Sequence, residues 1–296
     1  FLNSKKTYEW FLFMHPQQEK FVQEDYGGPA KLSGVSGSGK TAIAIARGLR
    51  LARKYSDEKI LIVTLNKALA DLISEVVSEA CSDSIVRQRI DVLSYFDLAT
   101  NLVHELEPQN KNLYTDITIG LEEHKDEIYR EFYRCMNNNY DASILKETHF
   151  HLVSQNINAE NYISEEFDWI RSTRFKDERH EYLDIDRKGR SFPLVRSHRE
   201  KILIALKAWE QKMLDVGVID SLGLTTVLSK HLNQIEPKYR SIIVDEAQDF
   251  GTTELTIIRK LTQPRENDIF LCGDAAQQVQ PKRQNFSRSG INVSGR

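Results

Sequence analysis

The run Gly34-Val35-Ser36-Gly37-Ser38-Gly39-Lys40-Thr41 has the residue types, at the spacing, that can hold a polyphosphate. Gly34 and Gly39 let the backbone curl until its N–H groups face inward. Lys40 supplies a cation for the β and γ phosphates, and the Thr41 hydroxyl is a ligand suited to Mg²⁺. All eight residues are therefore candidates for the binding loop, with Lys40 also catalytic. The loop fails as a nucleophile elbow, because Gly34-Val35-Ser36-Gly37-Ser38 ends in serine where that motif needs glycine.

A second constellation follows an apolar run. Ile242-Ile243-Val244 closes on Asp245-Glu246-Ala247-Gln248-Asp249. An acid at a strand end, here Asp245, can hold a Mg²⁺-bound water beside Thr41. Its neighbour Glu246 can position and deprotonate an attacking water, which suits hydrolysis better than transfer to an alcohol. A third, weaker signal is Gly273-Asp274-Ala275-Ala276-Gln277, also after an apolar strand. Gln277 can hydrogen-bond a γ-phosphate or its water there. Spacing alone thus implies a Mg²⁺-dependent nucleotide hydrolase.

These residues need elements to position them. Pro16 opens a short helix over 16–26, ended by Gly27-Gly28. Strands are expected at 29–33, 59–64, 89–94, 240–245 and 268–272, and helices at 40–54, 67–80 and 95–106. Strand–helix alternation implies a parallel sheet wrapped by helices. Between about 107 and 200 the chain is richer in charge and reads as helices with polar loops; residues 199–214 carry a helical apolar period. The expected organisation is an α/β nucleotide-binding domain in two parts, 1–106 and 201–296, interrupted by a helical insertion at 107–200.

Composition narrows the class further. The chain has 296 residues, a net charge of -3 and 40% apolar residues, which suits a folded domain and excludes a globally basic nucleic-acid binder. No apolar run approaches the roughly 20 residues that span a bilayer. Cys81, Cys135 and Cys272 form no CxxC pair, which favours a reducing, cytoplasmic compartment over a disulfide scaffold. The first residue is Phe1 and the last Arg296, so a trimmed piece of a longer protein is expected.

Read in order, His15-Pro16-Gln17-Gln18, GVSGSGKT, Thr64-Leu65-Asn66-Lys67-Ala68, Ser94-Tyr95-Phe96, DEAQD and GDAAQ resemble the first half of a UvrD/Rep/PcrA-type superfamily 1 helicase. The spelling DEAQD is the most specific element. The resemblance implies a RecA-like P-loop fold, ATP and Mg²⁺, and stepping along single-stranded or partly duplex DNA, 3′ to 5′. It implies that Gln18 reads adenine, and that Thr64, Asn66, Lys67, Ser94, Tyr95 and Phe96 lie on the DNA backbone. Asn66 is equally well read as a helix cap. Arg283 is retained from the family pattern near the nucleotide. The resemblance also implies a second RecA-like domain, C-terminal to this chain, that completes the ATP site.

Three departures stand out. Phe96 replaces a common histidine, Ala42 replaces an arginine near the base, and Lys282 replaces an aromatic that stacks on DNA. Phe286 is one candidate substitute; a more electrostatic grip is the alternative.

The insertion carries a basic run, Arg187, Lys188, Arg190, Arg196, Arg199 and Lys201, against Glu200 alone. Such a run is either a solvated face or a surface for DNA phosphates, and Arg187, Lys188 and Arg190 are the candidates for the latter. Two further functions remain open: a nucleic-acid-sensing ATPase switch without processive unwinding, and a non-enzymatic regulatory module. The intact Lys40, Thr41, Asp245 and Glu246 argue against the last.

Overall fold

The computed structural model describes residues 14–114, 121–135, 140–187, 189–190, 192–274 and 284–293. The chain forms two compact units. The first comprises residues up to Leu98 and from Leu232 onward, apart from 280–283. The second spans Ala99–His231.

The first unit is built on a five-stranded sheet in the order β1-β5-β4-β2-β3. The strands are β1 (Ala30–Ser33), β2 (Ile60–Thr64), β3 (Ile90–Ser94), β4 (Ser241–Val244) and β5 (Ile269–Gly273), and every pairing is parallel. Strands β2, β4 and β5 are buried along their whole length, as continuous apolar runs of a doubly covered sheet must be. Each expected strand forms, within a residue of its expected limits.

Helices α1 (Pro16–Gln23), α2 (Lys40–Lys54), α3 (Lys67–Ala80) and α4 (Ser84–Gln88) follow in this unit. His15 caps α1 by a reciprocal box: its Nδ1 accepts from Gln17 N at 3.3 Å, and Gln18 Oε1 accepts from His15 N at 2.8 Å. The α1 helix stops at Gln23, three residues short of the expected end. Gly48 lets α2 lie close on the sheet, since a Cβ there would stand 2.9 Å from Ile62 Cδ1.

Arg47 of α2 is buried and fixes α1 in place. Its guanidinium donates to the carbonyls of Phe21 (2.8 Å) and Glu24 (2.7 Å) and to Asn267 Oδ1 (2.8 Å). The rings of Tyr26 and Phe270 cover it at 4.8 and 4.5 Å. Burial lowers its pKa to about 10.

Helix α5 (Tyr95–Leu106) leads into the second unit, which holds α6 (Leu121–Arg134), α7 (Tyr140–Ser143), α8 (Lys146–Ser154), α9 (Ala159–Thr173), α10 (Arg196–Val216) and α11 (Ser221–Ser229). Its core joins Phe167, Trp169, Ile202, Leu206, Trp209 and Met213. The long helix α10, expected to begin the second part of the α/β domain, therefore packs within the helical unit, where its apolar stripe joins residues of α6, α8 and α9 in one core. Asp220 caps α11 by accepting from Gly223 N at 2.8 Å and pairs with Arg171, and both are buried. Helix α12 (Thr252–Lys260) returns to the first unit. No helix among the described residues is long and apolar enough to cross a membrane.

Candidate nucleotide site

The order of the sheet brings the motifs together. Strands β1, β5 and β4 are neighbours, so their carboxyl ends deliver the Gly34–Thr41 loop, Asp274 and Asp245 to one edge. That edge is where open parallel sheets bind ligands. Gly34 N donates to Gly273 O at 3.3 Å, which ties the loop to the end of β5.

Gly37 and Gly39 take φ of +74° and +80°, in the left-handed region that favours glycine. Val35, Ser36 and Gly37 face solvent, while Lys40 is buried. Lys40 Nζ donates to the carbonyls of Gly34 (2.8 Å) and Val35 (3.0 Å), so the cation spans the loop that a phosphate would enter. Gln18 Nε2 donates to Ser38 O at 2.8 Å, which sets α1 against the loop. A Cβ on Gly39 would stand 2.7 Å from that amide.

Thr41 Oγ1 donates to Asp245 Oδ2 at 2.7 Å. Asp245 is fully buried, and its Oδ1 has no hydrogen-bond partner. Burial, the largest influence, raises its pKa to about 6; the Thr41 bond opposes the rise and the charge of Glu246 adds to it. A buried carboxylate with one orphaned oxygen beside a hydroxyl is a fitting pair of ligands for a hard divalent cation. Glu246 holds φ +50° and ψ +44°, uncommon for a residue with a Cβ. Its Oε2 accepts from Gln248 Nε2 at 2.6 Å, and Gln248 Oε1 accepts from Asp274 N at 2.9 Å. In the sequence, the one signal for Gln248 is its position two residues after the acid.

A family model for the UvrD/REP helicase N-terminal domain matches residues 14–280. The chain belongs to that family. No curated protein matches it. The helicase assignment agrees with the parallel α/β sheet and its loop. UvrD-type helicases use ATP with Mg²⁺ and act on nucleic acid.

The candidate DNA residues of this helicase domain sit unequally. Asn66 and Lys67 are exposed at the start of α3 and Phe96 is half-buried. Asn66 Oδ1 accepts from Leu69 N at 3.0 Å, so the cap is formed. The expectation of side-chain contact is corrected for Thr64, Ser94 and Tyr95, whose residues are at most 1% exposed. Ser94 Oγ donates to Asp97 at 2.7 Å, and the Tyr95 ring packs edge-on against Phe250.

A second correction concerns the basic run. Arg187 and Arg190 are not a phosphate surface: both converge on Glu166 of α9, itself 0% exposed. Arg187 meets both carboxylate oxygens, at 2.6 and 2.8 Å, and Arg190 meets Oε2 at 2.7 Å. Tyr182 donates to the same carboxylate at 2.6 Å. Further along, Arg199 donates to the carbonyls of Leu194 and Ile185 at 2.9 and 2.8 Å. Lys188, Gln277, Lys282 and Arg283 lie outside the described residues.

Proposed function

We propose that this chain is the nucleotide-binding half of a DNA translocase that couples ATP hydrolysis to 3′-to-5′ movement on single-stranded DNA. The observation that carries the reading is the buried Thr41–Asp245 pair with its orphaned carboxylate oxygen, set beside Lys40 at the end of β4.

On this reading Lys40 exchanges its two loop carbonyls for the β and γ phosphates of ATP. The backbone N–H groups from Gly34 to Thr41, with the N-terminus of α2, bind the phosphate oxygens. Thr41 and Asp245 would hold Mg²⁺, which neutralises charge on the β and γ oxygens. Glu246 accepts the proton of a water as its oxygen bonds to the γ phosphorus and the bond to ADP breaks. Gln277 hydrogen-bonds the γ-phosphate or that water, and Arg283 contributes to the nucleotide site.

Gln18 reads the base. Its amide already gives one N–H to Ser38 and receives one from His15, which leaves one donor and one acceptor site. Adenine offers an acceptor and a donor along its N7/N6 edge, whereas guanine offers two acceptors, N7 and O6. Asn66, Lys67 and Phe96 meet the DNA strand. A second RecA-like lobe closes the site with an arginine, and domain closure turns hydrolysis into movement. A reducing, cytoplasmic setting suits three cysteines without a disulfide among them.

The test is calorimetric. Wild-type chain should bind Mg-ATP and prefer it to Mg-GTP, and Lys40→Ala should lose most of that affinity. Equal binding by Lys40→Ala would remove the phosphate role from this loop.

A further inference from the structure

Glu246 cannot aim its carboxylate by backbone geometry alone. It sits at φ +50° directly after β4, in a turn held by Asp245 N on Val63 O at 2.9 Å and by Asp249 N on Glu246 O at 3.0 Å. Those bonds fix the main chain and leave the side-chain rotamers open. The Gln248 amide supplies the missing constraint. Its two ends are distinguishable by their partners: a carboxylate can only accept, and a backbone N–H can only donate. Nε2 therefore faces Glu246 Oε2 at 2.6 Å, and Oε1 faces Asp274 N at 2.9 Å.

The room for this amide is also specific. A Cβ on residue 273 would stand 2.7 Å from Gln248 Oε1 and 3.2 Å from Gln248 N, so the last residue of β5 must be glycine for the amide to reach across. Gly273 in turn receives Gly34 N on its carbonyl. One line of hydrogen bonds thus runs from the first glycine of the phosphate loop, through the end of β5, to the carboxylate of Glu246.

We propose that Gln248 is a positioning residue that holds the Glu246 carboxylate toward the γ-phosphate and registers it against the Asp274 backbone and the phosphate loop. It touches neither nucleotide nor water; it acts through Glu246. This rests on the ATPase reading given above, and deepens it. Outer partners that orient a reactive group at metal sites carry about 10–100-fold in affinity or activity, and that is the scale expected here.

The test compares two substitutions in the intact protein, with its DNA-stimulated ATPase as readout. Gln248→Glu is nearly isosteric and keeps an acceptor for Asp274 N, but turns the donor to Glu246 into a like charge. It should lower kcat about 10–100-fold while Mg-ATP affinity stays at its wild-type value. Gly273→Ala should also lower kcat, because its methyl would stand 2.7 Å from Gln248 Oε1, but with a lower melting temperature, since it also meets the Gln248 backbone N at 3.2 Å. A residue needed only for packing would tolerate the isostere, so Gln248→Glu with wild-type kcat overturns the proposal. So does a fall in Mg-ATP affinity equal to the fall in turnover. Lys40→Ala runs alongside: if it still binds Mg-ATP, the ATPase reading itself has failed, which is a separable result.

Discussion

Arg187→Ala tests the correction to the basic run. In the folded chain this guanidinium donates to Glu166 at 2.6 and 2.8 Å, to the carbonyl of Phe192 at 2.8 Å and to the Tyr162 hydroxyl at 2.5 Å. Glu166 is 0% exposed, so the substitution strips a buried carboxylate of its main counterion. Removing one partner of a buried pair costs about 3–5 kcal/mol. Arg190 remains on Oε2, which puts the expectation near the lower figure, about 3 kcal/mol. At roughly 4 °C per kcal/mol for a unit of this size, the melting temperature should fall by about 12 °C. Adding Glu166→Gln should recover part of the loss, with a coupling energy of about 1 kcal/mol or more, since the acid left behind is the source of the penalty. The slope of DNA affinity against salt, in log units, should not move. A phosphate contact would instead reduce that slope by about 0.9 and leave the melt alone. An unchanged melting temperature with a shallower salt slope would refute the buried-pair account.

Two other outcomes follow from the site. Burial raises the Asp245 pKa from 3.8 to about 6, so its neutral form is favoured by folding. That contribution to stability is complete below about pH 4 and is lost as pH rises through about 6. Mg²⁺ needs the carboxylate, so Mg-ATP affinity should be about tenfold weaker at pH 5 than at neutral pH, and Asp245→Asn should flatten that dependence. If the proposed second lobe completes the site, residues 1–296 alone should bind nucleotide yet hydrolyse it near background, because a trans arginine carries about 10³–10⁵ in rate; robust DNA-stimulated turnover by the monomer would count against the two-lobe site.

The strands and the phosphate loop were legible because their signals are local. An apolar run such as Ile60–Thr64 and the Gly34–Thr41 spacing need no distant partner to be recognised. The basic run misled because its counterion is remote. Only Glu200 stands among those cations in sequence, while the acid that neutralises Arg187 lies 21 positions upstream on helix α9. Gln248 escaped notice for the same reason, since its second partner, Asp274, is 26 positions away and arrives only through the pairing of β4 with β5. The end of α5 at Leu106 was readable, but not that the compact helical unit begins within that helix, at Ala99. The short helix Ser84–Gln88 is too brief to show a period; its only cue was Asp83, which caps Ile85 and Val86.

The clasp made by Arg47 has a mechanical meaning for the site. The helix bearing Gln18 and the helix following the phosphate loop are joined through two carbonyls, of Phe21 and Glu24, on one guanidinium, so the two contact points proposed for a nucleotide behave like the fixed jaws of a gauge. Their spacing is set before anything binds. A nucleotide would be measured at entry, by whether base and phosphates fit a span already fixed. A lysine at position 47, with one head group for several acceptors, would loosen the gauge while leaving both jaws intact.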